Sequence, residues 1–166
     1  LGLVQIKEEL NMKMTVVNIN VTEIIMPPFK AGEWVAFEGK DYTMFAEVQD
    51  IAFIDQHERI AVYGTWGNES VMSVGDKGWQ FADQCRKATE DEQYWEERRR
   101  VFAAKGRKNN EFHPGDFVTD DTSVLTVQHQ DPGTGLVTVL VNNSDERFQT
   151  DPKELEIYFF AEDMAG

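Results

Sequence analysis

Six bases fall within eleven residues of this chain: Arg98, Arg99, Arg100, Lys105, Arg107 and Lys108. A cluster that dense can neutralise phosphates, and binding through it would weaken steeply with salt. On a helix, however, consecutive residues point about 100° apart, so Arg98, Arg99 and Arg100 cannot all face one ligand. The competing reading is complementation of a helix dipole and pairing with Glu96 and Glu97. A second group is aromatic: Trp34, Phe37, Tyr42, Phe45, Tyr63 and Trp66 lie in one short stretch and can supply stacking or apolar docking. A third is acidic. Asp116, Asp120, Asp121, Asp145, Glu146 and Asp151 flank turns, and four of them (Asp120, Asp121, Asp145 and Glu146) form a candidate acidic face for a basic target.

Catalytic chemistry finds little support. His57, His113 and His129 have no second ligand at helical or hairpin spacing, so the sequence predicts no metal site. Cys85 beside Arg86 reads as a small buried side chain. No serine or cysteine nucleophile motif and no phosphate-cradling glycine loop accompanies it. The expectation is a protein without catalytic residues or cofactor.

The elements that must carry these groups are mostly strands. Thr15 to Ile25 reads as one strand that Pro27 and Pro28 end, since neither can donate to a ladder. Strand-like segments follow from Trp34 to Val74, with turns at Glu38–Asp41, Asp55–Glu58 and Gly64–Asn68. A similar set runs from Asp116 to Phe160, with Leu136 to Val141 its strongest strand. Between the sets, Thr89-Glu90-Asp91-Glu92 is a capping box. It opens a helix on which Tyr94, Trp95, Val101 and Phe102 are expected to share a packing face, and Gly106 is placed to end it. Trp79 to Lys87 is expected to form a preceding helical segment.

The two sets begin alike. Phe29-Lys30-Ala31-Gly32-Glu33-Trp34-Val35 recurs as Phe112-His113-Pro114-Gly115-Asp116-Phe117-Val118, both F-x-x-G-acid-aromatic-Val. Such internal repetition points to two copies of one supersecondary plan. Short bent strands with a glycine turn before the first and a helical turn before the last resemble the SH3-like barrel, its Tudor and KOW branches most. The match is best over Phe112 to Phe160, where Asp151-Pro152-Lys153-Glu154-Leu155 supplies the closing turn. In the first copy that turn looks replaced by Gly75-Asp76-Lys77-Gly78-Trp79. The resemblance covers about three fifths of the chain and rests on structural residues. It implies a binding role, since members of the fold bind peptides, nucleic acids or other domains. It also places Tyr42, Tyr63 and Trp66 on the loops where such barrels carry partner-binding aromatics.

The expected fold class is therefore mainly β, two SH3-like β-barrels joined by an α-helical linker. The expected divisions are an N-terminal leader or extension (1–14), a first unit with its preceding strand (15–78), a helical linker (79–108) and a second unit (109–166). Charge is uneven: residues 1–79 carry 12 acids against 6 bases, residues 80–108 carry 6 against 8, and residues 109–166 carry 12 against 2. An acidic second half repels nucleic acid and attracts basic partners, or simply keeps a small domain in solution. No apolar run reaches the roughly 18 residues of a membrane span, and one cysteine suits a reducing cytoplasm. Lys7-Glu8-Glu9-Leu10-Asn11-Met12 is also compatible with codons for a ribosome-binding sequence before a start at Met12 or Met14. On that reading residues 1–11 are a translated leader, and a phage or mobile element of a low-GC bacterium is the expected source. The leading expectation is a cytoplasmic, non-catalytic protein-interaction module using Tyr42, Tyr63 and Trp66. The alternatives are an acidic inhibitor that mimics nucleic acid, and a nucleic-acid binder using the basic cluster.

Overall fold

A computed structural model describes the backbone of residues 2–8, 11–18, 21–25 and 27–165, and the side chains of residues 27–165. The protein is mainly β, and the chain divides into two compact units, residues 1–106 and 107–166. The first unit opens with β1 (Gly2–Glu8), β2 (Asn11–Asn18) and β3 (Val21–Ile25), an antiparallel meander in the order β1-β2-β3. The single strand expected from Thr15 to Ile25 is thus shared between β2 and β3.

The rest of the first unit is built on β4 (Trp34–Glu38), β5 (Thr43–Glu47), β6 (Asp50–Ile54), β7 (Arg59–Trp66), β8 (Asp76–Phe81) and β9 (Cys85–Lys87). β4 pairs with both β5 and β9, while β6 and β8 flank β7. β5 and β6 are two halves of one path bent at Val48 and Gln49. The Gln49 amide donates to Tyr63 O at 2.9 Å, and Phe45 and Gly67 exchange two backbone hydrogen bonds. The path thereby links the two small sheets in the order β9-β4-(β5, β6)-β7-β8. A 3-10 turn at Ala82–Gln84 precedes β9.

The second unit contains β10 (Phe117–Thr119), β11 (Val124–Gln130), β12 (Val137–Val141), β13 (Arg147–Thr150) and β14 (Glu156–Phe159). They form one five-stranded antiparallel sheet, β13-β12-β11-β10-β14. Its 3-10 turn, Pro152–Glu154, is capped by the Asp151 side chain on the Lys153 amide and again precedes the last strand. Among the described residues no sheet closes on itself into a full barrel. The strand plan of this unit is nonetheless that of the first, with β11 bulged after Val127 where β5 and β6 bend.

Both copies of the repeated heptad make the same turn. Gly32 and Gly115 sit at φ +90 and +92, which L residues rarely adopt. Gly32 N donates to Val48 O and Gly115 N to Val127 O, each at 2.8 Å. Val48 N returns a bond to Glu33 O, as Val127 N does to Asp116 O. Each valine after the turn is fully buried: Val35 lies opposite Ala46, and Val118 opposite Leu125. Phe29, Val35, Phe37, Ala46, Val48, Ile51, Val62, Trp66 and Ala82 form the core of the first unit. Burial of each large apolar side chain contributes about 1.5–3 kcal/mol.

Several expectations are corrected here. Trp79 to Lys87 is not helical. It completes the first unit as the end of β8, the 3-10 turn and β9, because Lys77, Trp79 and Phe81 alternate with Gly78 and Gln80 at strand period. The closing turn missing from the first copy is therefore present, at Ala82–Gln84 rather than Gly75–Trp79. Glu69 to Val74, expected as the closing strand, is a loop. The helix α1 (Glu90–Ala103) falls within the first compact unit, residues 1–106. Its buried positions are Glu96, Arg98, Arg99 and Phe102, whereas Tyr94 and Val101 are exposed. Beside the fully buried Phe102, the helix packs through ions, because the loop and strand ends it covers present carbonyls that need donors.

Candidate binding groove

The Thr89 hydroxyl accepts from the Glu92 amide, and the Glu92 carboxylate accepts from the Thr89 amide at 2.9 Å, so the expected capping box is formed. The Glu92 carboxylate also takes two bonds from the Arg86 guanidinium, at 2.7 and 2.8 Å. Arg86 beside it, with the Thr89 amide in support, holds the Glu92 carboxyl well below the usual range, at about 2, against the opposing effect of burial. This pins the helix start to β9.

One turn on, the helix is fastened to the loop between β7 and β8. All five N–H groups of Arg99 are used. Its Nε and one terminal nitrogen donate to Glu96, and the two terminal nitrogens also reach the carbonyls of Val71, Ser73 and Val74 at 2.8–3.0 Å. Arg100 donates to Glu96 and to the carbonyls of Phe45 and Thr65, and lies over the Trp34 ring at 4.9 Å. Glu96 thus neutralises two arginines in a nearly dry setting, which keeps the charges from being stranded. Asn68 secures the loop from its other end: its amide donates to Thr43 O at 3.0 Å and its side-chain oxygen accepts from the Ser70 amide. Gly67 has no room for a side chain, since a Cβ there would lie 2.5 Å from the Arg99 guanidinium.

These fastenings leave a groove of about 470 Å³ between helix and strand. Asp91, Glu92, Trp95, Glu96 and Arg99 line its helix side. Asp41, Tyr42, Thr43, Phe45, Asn68, Glu69 and Ser70 line the other. Tyr42 is 54% exposed, with its ring 6.2 Å from that of Phe37. Its volume lies in the range of small-ligand and side-chain pockets.

The three aromatics expected to form a surface are not brought together. Tyr42 lies in the groove. Trp66 is core at 3% exposure: it ends β7 on the face of Val62, stacks edge-on with Phe37, and donates its indole N–H to Gly78 O at 3.0 Å. Its flanking glycines suggested a loop, but they serve close packing, since a Cβ on Gly64 would lie 2.8 Å from Glu47 O. Tyr63 is half-buried and sits against Trp79 across the β7–β8 pair, ring centres 5.1 Å apart. Sequence reasoning did not find Trp95 as Tyr42's neighbour in the groove, having assigned it to helix packing.

The basic cluster is likewise dispersed. Arg98 and Arg99 are buried, Arg100 is largely covered, and Arg107 is buried in the second unit, where it donates to Asp116 at 2.6 and 3.0 Å and pairs with Glu162. Lys105 and Lys108 are exposed, which leaves no six-base patch. Asp116 is fully buried and so cannot belong to an acidic surface. Burial raises its pKa, but Arg107 and the amides of His113 and Ala161 outweigh this and hold it below the ordinary value. Asp120 and Asp121 lie on the loop after β10, where the Asp120 carboxylate accepts from Thr122 and Ser123, and Asp145 and Glu146 lie on the loop after β12. Asn142 N donates to Val124 O, which sets the loop after β10 beside the loop after β12 at one end of the sheet.

The Cys85 thiol is pushed up to about 12 by burial and by Asp83, and at neutral pH it is no nucleophile. His57 meets Phe81 edge-on and His113 lies 2.9 Å from Glu111, and among the described residues no three His, Cys, Asp or Glu side chains are grouped to hold a metal ion. No helix among the described residues is long and apolar enough to cross a membrane. Compared with protein-family models, curated proteins and solved structures, the chain matches none.

Proposed function

We propose that this is a non-catalytic protein-interaction module whose docking site is the groove between α1 and Tyr42. The observation that carries the proposal is an exposed aromatic in a concave site whose walls are held rigid by buried ionic and amide contacts. Such preorganisation lowers the cost of binding. In this reading both units are SH3-like barrels. The shared strand order, the bent second path and the 3-10 turn before the last strand support that assignment. A cytoplasmic setting suits the single cysteine. The test is capture of a partner from the native host, followed by reconstitution with the purified partner. Replacing Tyr42 and Trp95 by alanine is expected to abolish the reconstituted complex while the melting temperature stays within a few degrees. Trp66→Ala, a core change, is expected to cost about 3–5 kcal/mol of stability. An unchanged complex in the groove variant would end the proposal.

A second reading, an acidic inhibitor that binds a basic protein surface, is favoured by the loops of Asp120 and Asp121 and of Asp145 and Glu146 lying side by side at one end of the sheet. Neutralising all four should then weaken that binding and flatten its salt dependence. The nucleic-acid reading loses its basis, because the arginines it needs are engaged in ion pairs and carbonyl contacts.

A further inference from the structure

We infer that the groove takes an arginine side chain of a basic, extended partner segment; this rests on the groove being the docking site. The first ground is charge. Five carboxylates line the groove against one guanidinium. Glu96 is neutralised by Arg99 and Arg100, and Glu92 by Arg86. Asp41, Glu69 and Asp91 remain as an exposed acidic rim.

The second ground is the supply of hydrogen bonds. An anionic ligand needs positively charged donors, yet every N–H of Arg99, the groove's one guanidinium, is already committed, and one Asn68 N–H is given to Thr43 O. The exposed charged groups of the rim, Asp41, Glu69 and Asp91, are all acceptors. A ligand that brings donors and positive charge is complementary, and one that brings acceptors is not.

The third ground is shape. Tyr42 and Trp95 offer ring surface to a planar cation, and a guanidinium can stack while its edge bonds carboxylates in a fork. An ammonium is a point charge with stronger hydration and gains less from the same walls. The chain itself uses this contact repeatedly, with Arg59 over Phe81 at 3.7 Å, Arg107 over Phe160 at 4.6 Å and Arg98 over Trp95 at 5.7 Å.

The experiment uses the full chain and three peptides of about nine residues in a Gly/Ser background, carrying two arginines, two lysines or two glutamates. Binding is read by amide shifts over residues 41–45, 68–70 and 91–96. The arginine peptide should bind in the millimolar range or tighter, and the lysine peptide about tenfold more weakly. The glutamate peptide should not bind. Tyr42→Phe should retain binding and Tyr42→Ala should lose about tenfold. Asp41→Asn, Glu69→Gln and Asp91→Asn together should lose at least that and remove the salt dependence. Equal binding of lysine and arginine peptides, or binding of the glutamate peptide, overturns the inference. So does an arginine peptide that shifts amides elsewhere. If the Tyr42 and Trp95 variant loses the natural partner while the three-carboxylate variant keeps it, the docking site stands and the arginine occupant falls.

Discussion

Glu33 and Asp116 occupy the same place in the two copies of one turn, and the protein uses them differently. Both follow a glycine near φ +90, and both carboxylates accept the amide three residues back, Lys30 N for Glu33 and His113 N for Asp116. Among the described residues Glu33 goes no further, and it stays half-exposed. Asp116 is fully buried, takes two bonds from Arg107, and accepts the Ala161 amide at 2.8 Å. The turn requires only a glycine and an acceptor, and the second unit has made that acceptor the node joining its two ends. The binding groove shows the converse. In the first unit the connection from β7 to β8 runs through Gly67–Gly75 and a helix covers it, while the equivalent connection in the second is the short Asn142–Glu146 turn. Backbone plan is common to both copies; cavities and ion networks come from what is attached to it.

The sharpest way to break this comparison is to remove both carboxylates in turn. Asp116→Ala takes from Arg107 its buried partner, leaving it only the more exposed Glu162, and leaves the Ala161 amide unpaired; it is expected to cost the second unit about 3 kcal/mol or more. Glu33→Ala removes one exposed bond and should cost under about 1 kcal/mol. All four tryptophans lie in the first unit, so fluorescence follows that unit, and amide exchange over β10–β12 follows the second. Equal losses would mean that the burial of Asp116 has no energetic consequence.

A smaller contrast concerns the glycines. A side chain at φ near +90 costs about 1–2 kcal/mol in either copy. A Cβ on Gly32 would meet nothing within 4 Å, whereas one on Gly115 would lie 3.3 Å from Ala161 Cβ. Gly115→Ala should therefore be the more damaging of the two by a few tenths of a kcal/mol, because Ala161 is tied to Asp116 and cannot retreat. Equal effects in denaturant titrations would show that the chain after β14 yields freely.

What the sequence made legible follows from which interactions are local. The repeated heptad, the capping box at Thr89 and Glu92, and the Asp151–Pro152 turn are contacts within a few residues, and the structure forms each. The closing turn of the first copy was hidden because Ala82-Asp83-Gln84 carries no proline or glycine to mark it. Trp66 misled because glycines on a strand, there for close packing, look like loop residues. The helix misled more deeply. Its apolar residues suggested a packing face, but the surface it covers is a row of backbone carbonyls, and those select Arg99 and Arg100. No periodicity rule sees that demand, since the carbonyls belong to Phe45, Thr65, Val71, Ser73 and Val74. The groove was half legible: Tyr42 stood out, while Trp95, 53 residues away, did not.

A last test separates the anchoring of α1 from that of the second unit's ends by pH. The Glu92 carboxyl sits at about 2 in the folded chain against an ordinary 4.5. A depressed folded pKa means that its contribution is present in full above about pH 4.5 and is lost as pH falls towards 2. The Glu92–Arg86 pair is partly solvated, so about 1 kcal/mol is expected from it after screening. Glu92→Gln should be less stable than the parent by that amount at pH 7, read by tryptophan fluorescence, and the two should converge as pH approaches 2. Asp116 is also held below its ordinary value, so the second unit loses stability on acidification with the same sign, and Glu92→Gln should leave that loss untouched. If the gap between parent and Glu92→Gln stays constant from pH 7 to pH 2, the helix start is held by its hydrogen-bond geometry alone and the ion pair with Arg86 adds nothing. If amide exchange in β10–β12 changes along with it, the two units do not unfold independently, and the contrast between their carboxylates must be measured on one cooperative transition.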